Sequence, residues 1–156
     1  MMKNPDGSKL ASEAAQPTEG SASLRDGMSD AVQSRLDGFL RQRLYVAIVR
    51  PTREVDAEFA QLLGEQLPGH WEWLLELEQQ GKVFAAGPFL GDDGESYPGE
   101  GMLIFRASSL EEAREMAAGD PIIRVGLRTA EVRQWELNEG GFTVSVRYSN
   151  SRFELG

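Results

Sequence analysis

The sequence predicts an α+β fold of the ferredoxin-like type, with elements in the order β, α, β, β, α, β and an extra C-terminal strand. Short apolar segments rich in β-branched residues alternate with longer segments whose apolar residues recur every three or four positions. Pairs and clusters of glycine and proline separate these segments and mark the ends of the predicted elements. In such a fold the helices cover one face of an antiparallel sheet.

Four strands are predicted within a compact domain that covers residues 44–137. They lie at 44–49, 83–86, 102–105 and 129–137, where apolar and β-branched residues predominate. The first strand is almost wholly apolar, so both faces of the sheet need to be covered. A second copy of the sheet would cover the free face, and we therefore expect a homodimer or higher homo-oligomer.

Two helical regions lie between these strands. The first covers 54–66 and, after an expected interruption at Pro68-Gly69, continues over 70–80. The second begins after Ser109, which can cap it, and Glu112 completes the sequence pattern of a capping box.

Three regions lie outside the predicted compact domain. Residues 1–27 are rich in small and polar residues and cannot bury enough surface to offset their ordering entropy, so we expect a disordered tail. Residues 28–43 are predicted to form an amphipathic lead-in helix, which either packs weakly on the domain or docks a partner. Residues 138–156 form a C-terminal extension, in which alternating apolar and polar residues over 142–148 predict a half-buried strand.

The composition excludes several classes of protein. The 156 residues suggest one domain of ordinary soluble composition, with 40% hydrophobic and 26% charged residues. The net charge of −9 argues against binding to nucleic acid or anionic membranes, because both require clustered Lys and Arg. No apolar run is long enough to span a membrane, and the N-terminus lacks a signal-peptide pattern. The absence of cysteine is neutral between compartments, but together with the absence of an export signal it leads us to expect a cytoplasmic location.

His70 is the one histidine in the chain and the first candidate for a catalytic residue, because proton transfer near neutral pH most often uses imidazole. Asp120, which precedes Pro121, is the candidate partner. A carboxylate hydrogen-bonded to one imidazole nitrogen fixes the tautomer and frees the other nitrogen to move a proton. Both residues also have a structural interpretation. A histidine at a helix start can cap the helix or pack beside Trp73, and Asp before Pro is a common turn device.

Other residues are candidates for substrate binding. Trp73 lies three positions after the histidine on the same predicted helix face, so we prefer it to Trp71 as a pocket wall, with core packing as the alternative. Gly87-Pro88 ends the second strand and would shape the site there. Arg124 follows the Asp-Pro pair by one helical turn and could bind a carboxylate or phenolate, or lie solvated at the surface.

We expect no cofactor and no metal ion. The chain has no glycine-rich phosphate loop of either common spacing and no nucleophile elbow. A transition-metal site with one histidine would need several convergent carboxylates, and no such spacing is evident. The acidic and glycine-rich segment 91–101 is predicted to be a mobile loop that could act as a lid.

In their order along the chain, these motifs resemble those of the YCII-related domain family. They are the strand 44–49, then Pro68-x-His70-xx-Trp73-Leu74-xx-Leu77-xxx-Gly81-Lys82-Val83, then Ala86-Gly87-Pro88, and finally Asp120-Pro121 near Gly126-Leu127. The resemblance implies a dimeric α+β barrel of ferredoxin-like protomers, similar in fold to muconolactone isomerase. It also implies an active site built on a His–Asp pair, which falls on His70 and Asp120. One characterised branch of the family dechlorinates a chlorinated hydroxyhydroquinone.

The sequence therefore predicts a cofactor-independent small-molecule enzyme of the isomerase, lyase or dehalogenase type. His70 would be its general acid/base and Asp120 the orienting partner. The substrate would be a small aromatic or lactone-like metabolite held between helix and sheet near Gly87-Pro88. The alternative is a non-catalytic module that binds a small ligand or mediates assembly on the same dimeric fold. The distance from His70 to Asp120, and the presence of a cavity beside them, discriminate between the two hypotheses.

Overall fold

The computed structural model describes residues 27–147 and 152–155, so the predicted tail lies outside the described residues except for Gly27. The chain divides into two units after Gly38. The first unit contains helix α1 (Asp30–Asp37). This helix is shorter than the predicted lead-in helix over 28–43, because Gly38 follows it as the C-cap residue and the first strand already begins at Gln42.

The second unit has the ferredoxin-like α+β fold that the sequence predicts. Its elements are β1 (Gln42–Pro51), α2 (Ala57–Gln79), β2 (Val83–Pro88), β3 (Gly101–Phe105), α3 (Leu110–Ala118), α4 (Pro121–Arg124) and β4 (Arg128–Leu137). The four strands form one antiparallel sheet in the order β2-β3-β1-β4. The two central strands, β3 and β1, are the apolar segments from which strands were predicted. The predicted fold class is confirmed.

One face of the sheet forms the main core with α2 and α3. Side chains alternate between the faces of a strand, and every second residue of β1 and β3 points to this core. The buried members are Tyr45, Ala47, Val49, Leu77, Leu103, Phe105, Ala113, Met116 and Ala117. Burying a large apolar side chain such as Phe105 stabilises the fold by about 1.5–3 kcal/mol. The opposite face carries Val46 and Ile48, which are half-buried and apolar.

A smaller cluster fixes α4 against α2. Phe59 and Leu63 of α2 pack with Ile122 of α4 and with Leu127, which follows it. The two helices also meet further along α2, where a Cβ on Gly69 would lie 3.6 Å from Pro121 Cγ, at ordinary van der Waals distance. These contacts bring the residue after Gly69 close to the residue before Pro121.

Helix α2 is continuous through Pro68, so the prediction of an interruption at Pro68-Gly69 is wrong. An interior proline removes one backbone hydrogen bond and disfavours the helix by about 3 kcal/mol. Three buried side chains on both sides of the proline (Phe59, Leu63 and Leu77) anchor the helix to the two clusters and offset that cost. His70 therefore lies inside a helix of 23 residues and not at a helix start. Neither α2 nor any other helix in the described part of the chain is long and apolar enough to cross a membrane.

The C-terminal extension forms a separate hairpin. Strand β5 (Val144–Arg147) pairs antiparallel with β6 (Arg152–Leu155) in a two-stranded sheet of their own. Phe142 and Val144 are 77% and 50% exposed, so the predicted strand is not half-buried at these two positions. Tyr148 lies outside the described residues. Alternation of apolar and polar residues separates the two faces of a strand but does not determine what either face packs against.

A capping network fixes the start of α3, which leads into the Asp120 turn. Ser109 Oγ accepts a hydrogen bond from the Glu112 N–H at 3.1 Å, as the predicted cap requires. The Glu112 carboxylate reaches one residue further back than a standard capping box. It accepts from the Ser108 hydroxyl at 2.7 Å and the Ser108 N–H at 2.8 Å, and Lys82 Nζ lies 3.2 Å from its other oxygen. These hydrogen bonds, from Ser108 first and then Lys82, lower the pKa of Glu112 from 4.5 to about 2.

We expect Glu112→Gln to lower the thermal midpoint clearly at pH 6 and much less near pH 2. Because the pKa of Glu112 is lower in the folded than in the unfolded chain, its stabilisation is present above pH 4.5 and is lost as the pH falls through about 2. Circular dichroism melts between pH 7 and pH 2 measure the effect. The exposed neighbour Glu111 provides the control, Glu111→Gln, for which the change should be small at every pH. Equal losses in the two variants at pH 6 would contradict the role of the network.

Candidate active site

The structure brings together His70 and Asp120, which are 50 positions apart in the sequence. His70 Nδ1 lies 3.0 Å from Asp120 Oδ1, within hydrogen-bond distance. The imidazole is 14% exposed and the carboxyl group 1% exposed, so water screens their interaction only weakly. The pairing follows from the packing of α4 on α2 described above.

Asp120 is also the N-cap residue of α4. Its Oδ1 accepts a hydrogen bond from the Ile122 N–H at 2.9 Å, and Pro121 occupies the first helical turn, where its fixed φ suits a helix start. The fully buried Ile122 side chain anchors this turn in the smaller cluster. The two interpretations that the sequence left open for Asp120 are thus compatible, since one oxygen caps the helix and faces the histidine.

The contact determines which imidazole nitrogen carries the proton in the neutral form of His70. An ionised carboxylate can only accept hydrogen bonds, so Nδ1 must donate to Asp120. Nε2, on the opposite edge of the ring, then keeps its lone pair and can accept a proton. This is the arrangement in which a carboxylate orients a histidine for general base chemistry.

The second carboxylate oxygen of Asp120 has a different environment. Oδ2 is buried and has no hydrogen-bond partner among the described residues. Leaving a buried acceptor unpaired costs about 1–3 kcal/mol. Such atoms are uncommon in folded proteins, and here the atom belongs to the residue that holds the histidine.

A cavity of about 410 Å³ opens beside His70. Leu67, Trp71 and Leu74 of α2 form one wall, and the end of β2 at Gly87-Pro88 lies on another side. The volume lies in the range of small-molecule sites, and most of the lining is apolar. The cavity can therefore hold a small, mostly apolar molecule beside the imidazole.

Of the other predicted site residues, Gly87 and Pro88 line the cavity, and Trp73 and Arg124 do not. Trp73 packs against the main core with its ring 5.7 Å from the His70 ring. Trp71 lines the cavity because the helix is continuous. Trp71 lies four residues after Leu67 and Leu74 lies three residues after Trp71, so the three side chains share one face of the helix. Arg124 is exposed at the end of α4 and is absent from the cavity lining.

Two polar residues that the sequence analysis did not single out also line the cavity, namely Tyr97 and Arg128. Tyr97 comes from the loop between β2 and β3, and Arg128 is the first residue of β4. Arg128 Nη2 donates a hydrogen bond to the Tyr97 hydroxyl. Burial raises the pKa of Tyr97, which keeps the phenol neutral near pH 7. No motif spacing points to either residue; the aromatic side chain within a loop of Gly, Asp and Ser was the available signal for Tyr97.

The described residues contain no convergent group of three or more His, Cys, Asp or Glu side chains that could hold a metal ion. In the acidic segment 91–101, Asp93 Oδ1 accepts hydrogen bonds from the Ser96 N–H, the Glu95 N–H and the Ser96 hydroxyl. These bonds, from the Ser96 N–H foremost, lower the pKa of Asp93 and hold a tight turn. This carboxylate stabilises its own loop.

Three comparisons place the chain among known proteins. The model of the YCII-related domain family matches residues 44–136. The uncharacterized protein YjpA of Bacillus subtilis (strain 168) is 31% identical over 75 residues, which cover 48% of this chain and 81% of that protein. A solved structure of 5-chloro-2-hydroxyhydroquinone dehydrochlorinase (TftG) from Burkholderia phenoliruptrix AC1100, in complex with 2,5-dihydroxybenzoquinone, is 24% identical. It aligns with a TM-score of 0.45 over 58% of this chain and 92% of that one.

We expect the neutral imidazole of His70 to carry its proton on Nδ1, and Asp120→Ala to shift it to Nε2, because the acceptor at Nδ1 is lost. The natural chain has one histidine, so ¹⁵N NMR of the neutral ring gives one set of ring signals to assign.

The control is Asp56→Ala, which removes the N-cap of α2 and its hydrogen bond to the Phe59 N–H at 2.7 Å without touching the histidine. Both variants lose a helix cap and should be less stable, but Asp56→Ala should keep the Nδ1–H form. An Nε2–H tautomer in the natural protein would contradict the assignment.

Proposed function

Because the chain belongs to the YCII-related domain family over residues 44–136, we propose that it is a small-molecule enzyme that works with a His–Asp pair. The proposed reaction is cofactor-independent and of the isomerase, lyase or dehalogenase type. The observation that carries the proposal is the 3.0 Å contact between His70 Nδ1 and the buried Asp120 carboxylate beside a cavity of about 410 Å³.

His70 is the proposed general base and acid. With Nδ1 donating to Asp120, Nε2 takes a proton from a hydroxyl or an acidic C–H of a substrate in the cavity. The same nitrogen then returns the proton to another substrate atom or to a leaving group. The Asp120 carboxylate stabilises the imidazolium that forms in between, and the low exposure of both groups strengthens that interaction.

The cavity favours a flat, mostly apolar substrate. Trp71 and Leu74 offer an apolar wall, and the absence of side chain at Gly87 leaves room at the end of β2. A small aromatic or lactone-like metabolite fits this description, in agreement with the substrate class that the sequence suggested. We propose that the protein acts on such a molecule in the cytoplasm.

The alternative function is a non-catalytic small-ligand-binding or assembly module on the same fold. It is supported by the helix-capping bond of Asp120, since this carboxylate stabilises α4 whether or not chemistry occurs. A binding module would retain the cavity and bind ligands without turnover.

We expect His70→Ala to lower kcat by about 10²- to 10⁴-fold on any member of a panel of catechol-like and lactone substrates that the natural protein converts. The exposed α2 residue Glu72 gives the control variant Glu72→Ala, which should keep full activity. Steady-state kinetics, with circular dichroism to check folding, measure the effect. Unchanged turnover in folded His70→Ala would remove His70 from the mechanism, and binding of panel members without turnover would favour the binding module.

We also propose that two copies stack their sheets to form a homodimer. The sheet face opposite the helices carries the half-buried Val46 and Ile48 on β1, an apolar surface that another sheet would cover.

Light scattering should give a mass twice the 17.2 kDa of one chain, and Ile48→Glu should shift it towards the monomer, because a charge would be buried in the interface. Leu75→Glu, at a 54% exposed position of α2, is the matched control and should leave the mass unchanged. A monomeric mass for the natural protein at micromolar concentration would contradict the proposed dimer.

A further inference from the structure

Arg128 is a buried cation in the wall of the cavity. It is 6% exposed and begins β4, where it pairs with Pro51 at the end of β1. Its guanidinium makes one hydrogen bond in the described part of the chain, from Nη2 to the Tyr97 hydroxyl, and its Nε is buried without a partner. No Asp or Glu among the described residues forms an ion pair with it. A guanidinium has five N–H donors, so most of its capacity is unused.

The neighbours of Arg128 compensate its charge only in part, because the Asp120 carboxylate acts near Tyr97 through its charge but makes no ion pair with the guanidinium. Tyr97 is a neutral partner, because burial raises the pKa of its phenol. The Tyr97 ring centroid lies 5.5 Å from the guanidinium carbon and offers only the partial compensation of a cation–π contact. The carboxylate of Asp120 is already hydrogen-bonded to His70 and to the Ile122 N–H through Oδ1. A buried, unpaired charge is costly, so a group that balances it inside the cavity would gain from binding.

We propose that Arg128 and Tyr97 form an anion subsite of this cavity, and that the ligand is a small planar molecule bearing one carboxylate. The proposal deepens the proposed function and rests on its premise that the cavity is the substrate site. The planar guanidinium matches a carboxylate, with two N–H groups directed at two oxygens. The apolar wall of Leu67, Trp71 and Leu74 would hold the ring of the ligand.

The lining also argues for a single negative charge. Arg128 is the one Arg or Lys among the residues that line the cavity, whereas a phosphate dianion is usually held by several cations or by a set of backbone N–H groups. The whole chain has a net charge of −9 and repels anions at long range. An anion enters this site only if a local cation outweighs that repulsion, and Arg128 provides it. A carboxylate fixed there would hold its ring within the same cavity as the imidazole of His70.

The test compares benzoate with benzamide, two probes with the same ring and nearly the same size that differ in charge. Binding is followed by NMR titration of the indole N–H signals of the tryptophans. We expect benzoate to bind the natural protein at least tenfold more tightly than benzamide. Arg128→Gln should abolish this preference, and Arg124→Gln, at the exposed arginine of α4, should keep it. Arg128→Lys keeps the charge without the planar fork and should retain a reduced preference.

Equal affinity of the natural protein for the two probes would overturn the proposal, as would a tenfold preference that survives in Arg128→Gln. If circular dichroism shows Arg128→Gln to be unfolded, the natural protein and Arg128→Lys still decide, because full preference in the lysine variant argues against a planar two-point contact. The result is independent of turnover. His70→Ala should keep the benzoate preference, so the loss of the acid/base mechanism and the loss of the anion subsite give different outcomes.

Discussion

The packing of α4 against α2 is the constraint on which the site depends. Asp120 caps α4 with the same oxygen that faces His70, so the short helix and the imidazole are fixed by one carboxylate. Ile122 anchors that turn in the cluster with Phe59 and Leu63, and Pro121 contacts α2 at Gly69. A shift of α4 along α2 would therefore break a helix cap, a buried apolar cluster and the histidine contact together. The orientation of His70 is thereby tied to the stability of the fold.

The continuity of α2 through Pro68 fixes the position of His70 relative to the first half of the helix. A break at Pro68 would have allowed the segment carrying His70 to rotate with respect to the first half of the helix. In the continuous helix, Leu67, Trp71 and Leu74 lie on the cavity stripe, and Leu63 and Leu77 are buried in the two clusters. The position of the cavity wall is thus set by apolar packing at both ends of the helix, which also offsets the hydrogen bond that the proline removes.

Much of the architecture could be predicted from sequence because the signals are local. Strand propensity, the Ser109 cap and the motif order identified the four strands, α3 and the YCII-related domain family, and the family model match confirms the last of these. The features that were missed depend on tertiary contacts. Local propensity cannot show that packing overrides Pro68, that Trp71 and not Trp73 faces the cavity, or that Phe142 is exposed. Arg128 and Tyr97 are 31 positions apart and follow no spacing rule, so only the fold brings them together.

Two of the buried polar atoms that lack a hydrogen-bond partner lie at or beside the cavity. Among the described residues, three buried side-chain atoms lack a hydrogen-bond partner: Asp120 Oδ2, Arg128 Nε and Asn138 Oδ1. The first two belong to residues at or beside one cavity, and they carry opposite charges. Each such atom costs about 1–3 kcal/mol, a large share of the 5–15 kcal/mol by which a domain is stable. An apolar residue at either position would avoid that cost but would remove the group that orients His70 or the one full cation in the cavity lining. Under the proposed function and the proposed anion subsite, both groups act on a molecule that occupies the cavity.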